Sequence, residues 1–562
     1  MLTSGKETVD YYNKLEQLRG NHDNKWERMA PYLSPSRVGI TGKRAEGDDQ
    51  TRGVYDSTGM SAAELMAHFI AGNVINPGQQ WAGYTMRDPK FRQFDQLNEW
   101  LEENRDRSLK RLASSMFYAE GPESLIDWGG FGTGCLMGGE RPQPINETIK
   151  GFRGFQFEAV KTGRFVIDQG GDGSVNVVGR KFEMSAGAIE ERWNNLPGAH
   201  FPENIQQALR ESKREKIFTI IHMIQPRRKA EQGAGAIGMP WASIWCEKES
   251  KGLIQESGYR RFPAIVPRFH RTPDEIYGRG RGHLAFPDIW TLNTAKRYSF
   301  EDWALKVRPP ILHRHNSVFG SLRLVPGAPT SVNTHGMRIQ DVIMPYQTGS
   351  NPEVSQINEE NLRKSINQIF FVQQILELLE MHKSELTAYE FHKKLEVLFQ
   401  LIGPVYGRLQ WEFLYAVMDY VFDTQLAEGD FSDPPPEIFQ TDGDINIEFE
   451  NPLARAQRAA DAESVTLAIN DLSPFAEMAP QVFDEFDPDE IAVGICNVRG
   501  VPAKWRRSPE QKEKLRSERQ KQNEKQLAME DAAQLSEVAK NVAPLAKDGG
   551  LNKIAALAGG RR

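Results

Sequence analysis

At 562 residues, with 39% hydrophobic, 26% charged and 10% aromatic side chains, the chain has ordinary globular composition. That excludes wholesale disorder and, at roughly 150 residues per unit, predicts about three or four packed units. A net charge of −7 and a pI near 6.0 exclude a tight, non-specific polyanion binder driven by counterion release, while a passive channel in which a polyanion must slide stays compatible.

Three cysteines, Cys135, Cys246 and Cys496, are spaced for neither a disulfide framework nor a C-x-x-C metal site, which suits a reducing compartment. No apolar run reaches the ~18 residues of a membrane span, and the opening residues lack the apolar core of a signal peptide. In chain order, residues 9–18 and 25–33 read as short helices, and 61–75 as an amphipathic helix with Leu65, Met66, Phe69 and Ile70 on its apolar side. A longer helix over 91–116 carries Leu97, Leu101, Leu109 and Leu112, and the glycine-rich stretch 129–139 then breaks the pattern. Period-two alternation takes over at 152–160, 163–168 and 174–182, and continues at 217–224, 241–247 and 262–269 around a helix at 185–193. A mixed body up to about residue 270 follows.

Beyond it the helices lengthen. Pro287 stands where a proline opens a helix, and Arg308-Pro309-Pro310 ends it after about 20 residues, or roughly 30 Å. Ile289, Leu292, Phe300, Trp303 and Val307 give it an apolar side. After strand-like pieces at 321–325 and 337–344, a second long helix is predicted over 353–381, with Leu362, Ile366, Ile369, Phe370, Leu376 and Leu379 at helical spacing. A third, over 387–425, is kinked at Gly403-Pro404, where proline removes a hydrogen bond. The remainder is helical, with alternating charge over 512–525 that reads as a solvated or inter-subunit face. The fold class is α+β, predominantly helical.

Motifs for chemistry are sparse. No G-x-x-x-x-G-K-[ST] phosphate loop is present, and neither G-x-S-x-G nor H-E-x-x-H occurs. Gly130-Phe131-Gly132-Thr133-Gly134 reads as a tight loop, His313-Arg314-His315 as a polar turn without partner ligands, and Asp487-Pro488-Asp489-Glu490 as a helix opening. No cofactor, metal or catalytic set is expected. The most unusual local sequence is Gly278-Arg279-Gly280-Arg281-Gly282. Its glycines permit close backbone approach and its arginines bidentate contacts to phosphate or carboxylate; equally, it suits a flexible turn whose arginines pair with neighbouring acids.

Arg261-Phe262-Pro263-Ala264-Ile265-Val266-Pro267-Arg268-Phe269, then Glu275-Ile276-Tyr277-Gly278-Arg279-Gly280 and Leu292-Asn293, resemble the portal, or head-to-tail connector, family of podovirus-type tailed bacteriophages. Further support comes from Trp26-Glu27-Arg28-Met29-Ala30-Pro31-Tyr32, Pro77-Gly78-Gln79-Gln80-Trp81 and Ile495-Cys496-Asn497-Val498-Arg499-Gly500-Val501-Pro502-Ala503, so the likeness spans residues 10–530. The resemblance implies a wing over 1–286, a first stem helix at 287–308, a clip at 309–352, a second stem helix at 353–380 and a channel loop at 381–386. A kinked wing helix and return strand at 387–451 and a helical crown with a C-terminal tail at 452–562 complete it.

By the same resemblance the chain is a structural virion protein, not an enzyme. It would form a homo-oligomeric ring of about twelve subunits at one capsid vertex, assembled in the host bacterial cytoplasm. Double-stranded DNA would pass through the channel, and partners would be terminase, a tail adaptor, and the major capsid and scaffolding proteins, with no membrane. Position then makes Lys383 and His382, followed by Lys393 and Lys394, the DNA-channel candidates, and Arg314 and Arg323 the clip contacts. Tyr277, Gly278, Arg279, Gly280 and Arg281 become the joint between wing and stem, with arginines that lock neighbouring subunits or the wing. Another head or tail protein, such as an adaptor or scaffold, or a packaging enzyme are the alternatives.

Overall fold

The computed structural model describes residues 4–42, 47–141, 152–308, 352–381 and 403–449, with short gaps in the second, third and fifth of these, together with short pieces between 311 and 345 and between 467 and 533. The described chain mixes helices and sheets and falls into two compact units, one of residues 1–87 and 100–461 and another of 88–99 and 462–562. In the second, residues 511–526 form a helix whose side chains are mostly exposed, as their alternating charge requires.

The first unit opens with α1 (Gly5–Leu33), capped by Ser4, whose side chain accepts from Glu7 N at 3.2 Å. After α2 (Thr58–Val74), β1 (Ala82–Met86) and α3 (Asp95–Ala113), of which residues 100–113 belong to this unit, α4 (Phe117–Phe131) runs to Gly132. Strands β2 (Leu136–Glu140), β3 (Phe155–Ala159), β4 (Phe165–Gln169) and β5 (Val175–Ser185) follow, then helices α5 (Ala186–Trp193) and α6 (Glu203–Arg210). β6 (Ile217–Pro226), β7 (Trp241–Glu247), β8 (Leu253–Tyr259) and the two-residue β9 (Ala264–Ile265) complete the body.

Five strands form an antiparallel sheet in the order β4-β5-β6-β7-β8. Because side chains alternate faces, Ile221, Met223, Ala242, Ile244 and Cys246 pack against Val9, Tyr12 and Leu15 of α1. Ile220 and Trp245 face the other way, against Ile189 and Trp193 of α5 and Ile205 and Ala208 of α6. The sheet is therefore sandwiched between helices. A second sheet, β3-β2-β9, lies beside α4, and β1 pairs with β12 (Ile445–Phe449).

Several elements differ from the sequence reading. Residues 9–18 and 25–33 join in one helix, because the polar break at Arg19 and Asp23 is satisfied internally: Arg19 Nε meets Asp23 Oδ1 at 2.7 Å and its Nη1 donates to Phe165 O. The strand expected over 262–269 shrinks to Ala264–Ile265, since its neighbours bond to loop backbone instead, as Gly134 N does to Pro267 O at 3.0 Å. Strands β1 and β8 were not expected at all.

Past β9, α7 (Arg281–Val307) extends for 27 residues, about 40 Å. It begins six residues before Pro287, because Gly280 N donates to His283 Nδ1 at 3.2 Å and His283 N to Gly280 O at 3.1 Å, which caps the helix further upstream. A short β10 (Ile311–His313) pairs with β11 (Ile343–Pro345). The second long helix is two: α8 (Pro352–Ile369) and α9 (Val372–Met381). Asp288 binds Ser365 Oγ at 2.6 Å and Lys296 binds Glu359 at 3.0 Å, so α7 and α8 run antiparallel as a hairpin. Then a π-helical turn (Gln410–Tyr415) leads into α10 (Ala416–Ala427). Gly403 is described as helical, whereas Pro404 of the expected kink lies outside the described residues.

Glu359 clasps the hairpin: it is only 3% exposed, accepts from Ser299 Oγ at 2.8 Å and pairs with Lys296. Glu359→Ala leaves the Lys296 ammonium uncompensated and is expected to cost about 2–3 kcal/mol, measured as a fall in denaturation midpoint.

Candidate functional site at the base of the helical hairpin

Residues 278–282 meet the end of α4 backbone to backbone. A Cβ on Gly280 would press on Gly129 O, Gly130 O and Gly132 N; one on Gly282 would strike Gly130 O and Leu33. Gly132 itself stands at φ +97°, where an L side chain is strained, and its missing Cβ points at Gly278 O and Gly280 N. The two glycine clusters of the sequence are thus halves of one contact. Gly278 N donates to Thr133 Oγ1 at 2.8 Å, Phe269 N to Gly132 O at 2.8 Å and Arg279 N to His270 O at 2.7 Å.

Tyr277 anchors this crossing to the body. It is 5% exposed, accepts from Ile167 N through its hydroxyl at 3.0 Å, and packs edge-on against Trp26 at 5.5 Å and beside His22 at 5.4 Å. Burial pushes its phenol up to about 12, and Trp26 Nε1 in turn donates to Phe131 O at 3.1 Å. One aromatic cluster therefore grips both segments.

The arginines do different work. Arg279 is exposed and pairs with Glu275 four residues back, Nε to Oε2 at 2.7 Å. Arg281 has no carboxylate partner among the described residues; its guanidinium lies over Phe371 at 4.4 Å and Phe269 at 5.7 Å, and burial lowers its pKa. Arg268 is the buried one. Its Nη2 reaches Glu412 Oε1 at 2.6 Å and Gly173 O at 2.9 Å, and its backbone N reaches Glu412 Oε2 at 2.8 Å. In the sequence Arg268 stands out only as part of a motif and Glu412 not at all, its one signal being an acid set among Trp411, Phe413 and Leu414, in a π turn.

The close backbone approach that the glycines permit is thus to another stretch of chain, and Arg279 is paired as a turn arginine would be. His382, Lys383, Lys393, Lys394, Arg314 and Arg323 lie outside the described residues. Among the described residues no three His, Cys, Asp or Glu converge as a metal site, and no helix is long and apolar enough to cross a membrane.

The family model described as bacteriophage head to tail connecting protein matches residues 6–506, and the chain belongs to that family. It is 24% identical over 511 residues to the probable portal protein of Bordetella phage BPP-1, covering 89% of this chain and 88% of the relative. To the portal protein of Salmonella phage epsilon15 it is 22% identical over 523 residues, covering 92% and 91%. Among solved structures, a chain from the virion of a native gene transfer agent particle aligns over 76% of this chain and 91% of its own, at 13% identity and a TM-score of 0.35.

Two outcomes test the joint. Gly132→Ala and Gly280→Ala should each cost on the order of 3 kcal/mol in equilibrium unfolding, since backbone must move, whereas Gly171→Ala, with open space around it, should cost under about 1 kcal/mol. Burial holds His283 down to about 4, and also lowers His22 and His222. At these histidines the unfolded chain binds more protons, so the stability they contribute is full above about pH 6.5 and falls as pH drops towards 4. His283 alone contributes on the order of 2 kcal/mol after its residual exposure is allowed for, and His283→Gln should flatten the acid limb of a Tm-against-pH curve.

Proposed function

We propose that the chain is a portal protein: a structural virion component, not an enzyme, that closes into a ring at one capsid vertex and conducts double-stranded DNA during packaging and ejection. Its family membership and the portal proteins it resembles over about nine-tenths of its length support the reading. In this reading residues 1–286 form the wing, the α7–α8 hairpin the stem, and 309–352 the clip that docks terminase and a tail adaptor through Arg314 and Arg323. Residues 381–386 form the channel loop, where Lys383 and His382 meet phosphate, with Lys393 and Lys394 on the helix that follows. Residues 387–451 return to the wing and 452–562 form the crown and tail. Around twelve copies make the ring, capsid and scaffolding proteins surround it, and assembly takes place in the bacterial cytoplasm.

The observation that carries this is a stripe along α7. Phe286, Ile289, Asn293, Lys296, Phe300, Trp303 and Val307 follow alternating steps of three and four, so they share one face. The near half is buried in the chain's own body, with Phe286 at 9%, Ile289 at 3% and Asn293 at 7% exposure. The far half is not: Phe300 is 48%, Trp303 65% and Val307 58% exposed. A second stripe on nearly the opposite face, Leu284, Tyr298 and Leu305, is also exposed. Two different apolar faces on one helix suit a heterologous, head-to-tail contact, which closes as a ring, better than a two-fold dimer that uses one face twice.

The purified chain should appear in native mass spectrometry as one large multiple of 63.6 kDa and in negative stain as a ring with a central hole. Phe300→Asp combined with Trp303→Asp should leave folded monomers. A wild-type chain that stays monomeric at micromolar concentration would overturn the proposal.

A further inference from the structure

The break between α8 and α9 falls in Gln368-Ile369-Phe370-Phe371-Val372-Gln373, which holds neither glycine nor proline. Helical periodicity runs through it without interruption, which is why one helix is predicted there. Yet Phe371 stands at φ +60°, a left-handed conformation that costs a bulky L residue and that glycine would take freely. Phe371 N turns back to Gln368 O at 3.1 Å, and Ile375 N to Phe371 O at 3.0 Å, so the amides of 372–374 start a fresh helix without an acceptor in the preceding turn. Local sequence and local geometry disagree, so something outside the segment holds the break.

The contact at hand is Arg281. Its guanidinium covers the Phe371 ring at 4.4 Å. Neither the helix dipole nor an ion pair draws an arginine to this position. Arg281 is the first residue of α7, where the dipole disfavours a cation. It pairs with no carboxylate among the described residues, and its buried Nε has no hydrogen-bond partner. A planar cation lying on an aromatic face accounts for its place. Phe370, beside it, is fully buried and fixes where the break falls.

We propose that Arg281 and Phe371 form a latch that holds the return helix of the hairpin bent, and that the element has a second state, a continuous helix through residues 352–381. The bent state keeps the stack and bears the left-handed phenylalanine; the straight state loses the stack and gains helical hydrogen bonds at 372–374. The latch sets the direction in which the chain leaves Met381. It does not depend on the ring, and it acts in any copy of the chain.

Hydrogen exchange of the full-length assembled protein tests this, read at the amides of 372–374 with those of 362–366 as internal reference. Wild type and Arg281→Lys should exchange fast at 372–374. Arg281→Gln and Phe371→Ala, which remove the stack but keep a left-handed non-glycine residue, should slow exchange there by about threefold to tenfold as the straight helix gains population. Phe371→Gly removes both stack and strain, and should stay fast. Wild-type exchange in Arg281→Gln overturns the latch. So does slowing in Phe371→Gly equal to that in Phe371→Ala, because strain would then not oppose the bend.

Discussion

Where α4 ends and α7 begins, two pieces of main chain touch with no side chain between them, and the position of the hairpin hangs on that contact. Gly132 on one side and Gly278, Gly280 and Gly282 on the other have backbone where a Cβ would stand, and Gly129 and Gly130 present their carbonyls to the crossing. The first turn of α7 thereby has a fixed origin, and about 40 Å of helix projects from it. Around the contact, each neighbouring group is committed: Tyr277 to Ile167, Arg268 to Glu412, and His283 to the cap. A buried ion pair such as Arg268 with Glu412 adds little net stability, but removing either member would strand a charge, so it fixes the arrangement more than it strengthens it.

The sequence shows most where periodicity and burial agree. Strand β7 is legible because Ala242, Ile244 and Cys246 alternate with Ser243 and Trp245, and both faces of the sheet are covered by helices. Reading fails where a tertiary partner satisfies what looks like a break. Arg19 and Asp23 resemble a polar interruption until Phe165 O and Tyr277 surround them; Phe371 resembles mid-helix until Arg281 lies on it. At the joint, Tyr277 to Arg281 can be picked out by composition and resemblance. That their glycines mate with Gly129 to Gly132 cannot, because a backbone contact between remote segments leaves no periodic trace.

Along α7 one stripe serves two purposes. Its near half completes the core of its own chain, with Asn293 also holding the loop at Gly53 and Tyr55. Its far half keeps the same spacing and, among the described residues, stays largely exposed, with Tyr55 set beside Phe300. A helix formed for its own fold alone would turn polar where that cover ends, as charged side chains are the normal solvated face. The stripe continues, and its register is inherited from the joint. Any partner packed on Phe300 and Trp303 is therefore aligned by a contact about 20 residues away.

The glycine crossing also governs the order of events during synthesis. Gly278 bonds to Thr133 across 145 residues of chain, so the loop it closes is a long one. At ordinary translation rates the ribosome delivers the second strand of the crossing roughly 10–30 s after the first. Through that interval the end of α4 waits with its carbonyls open to water, and the five-stranded sheet, whose strands are joined by local connections, has time to close. The joint therefore forms late, after the strands of the five-stranded sheet have been delivered.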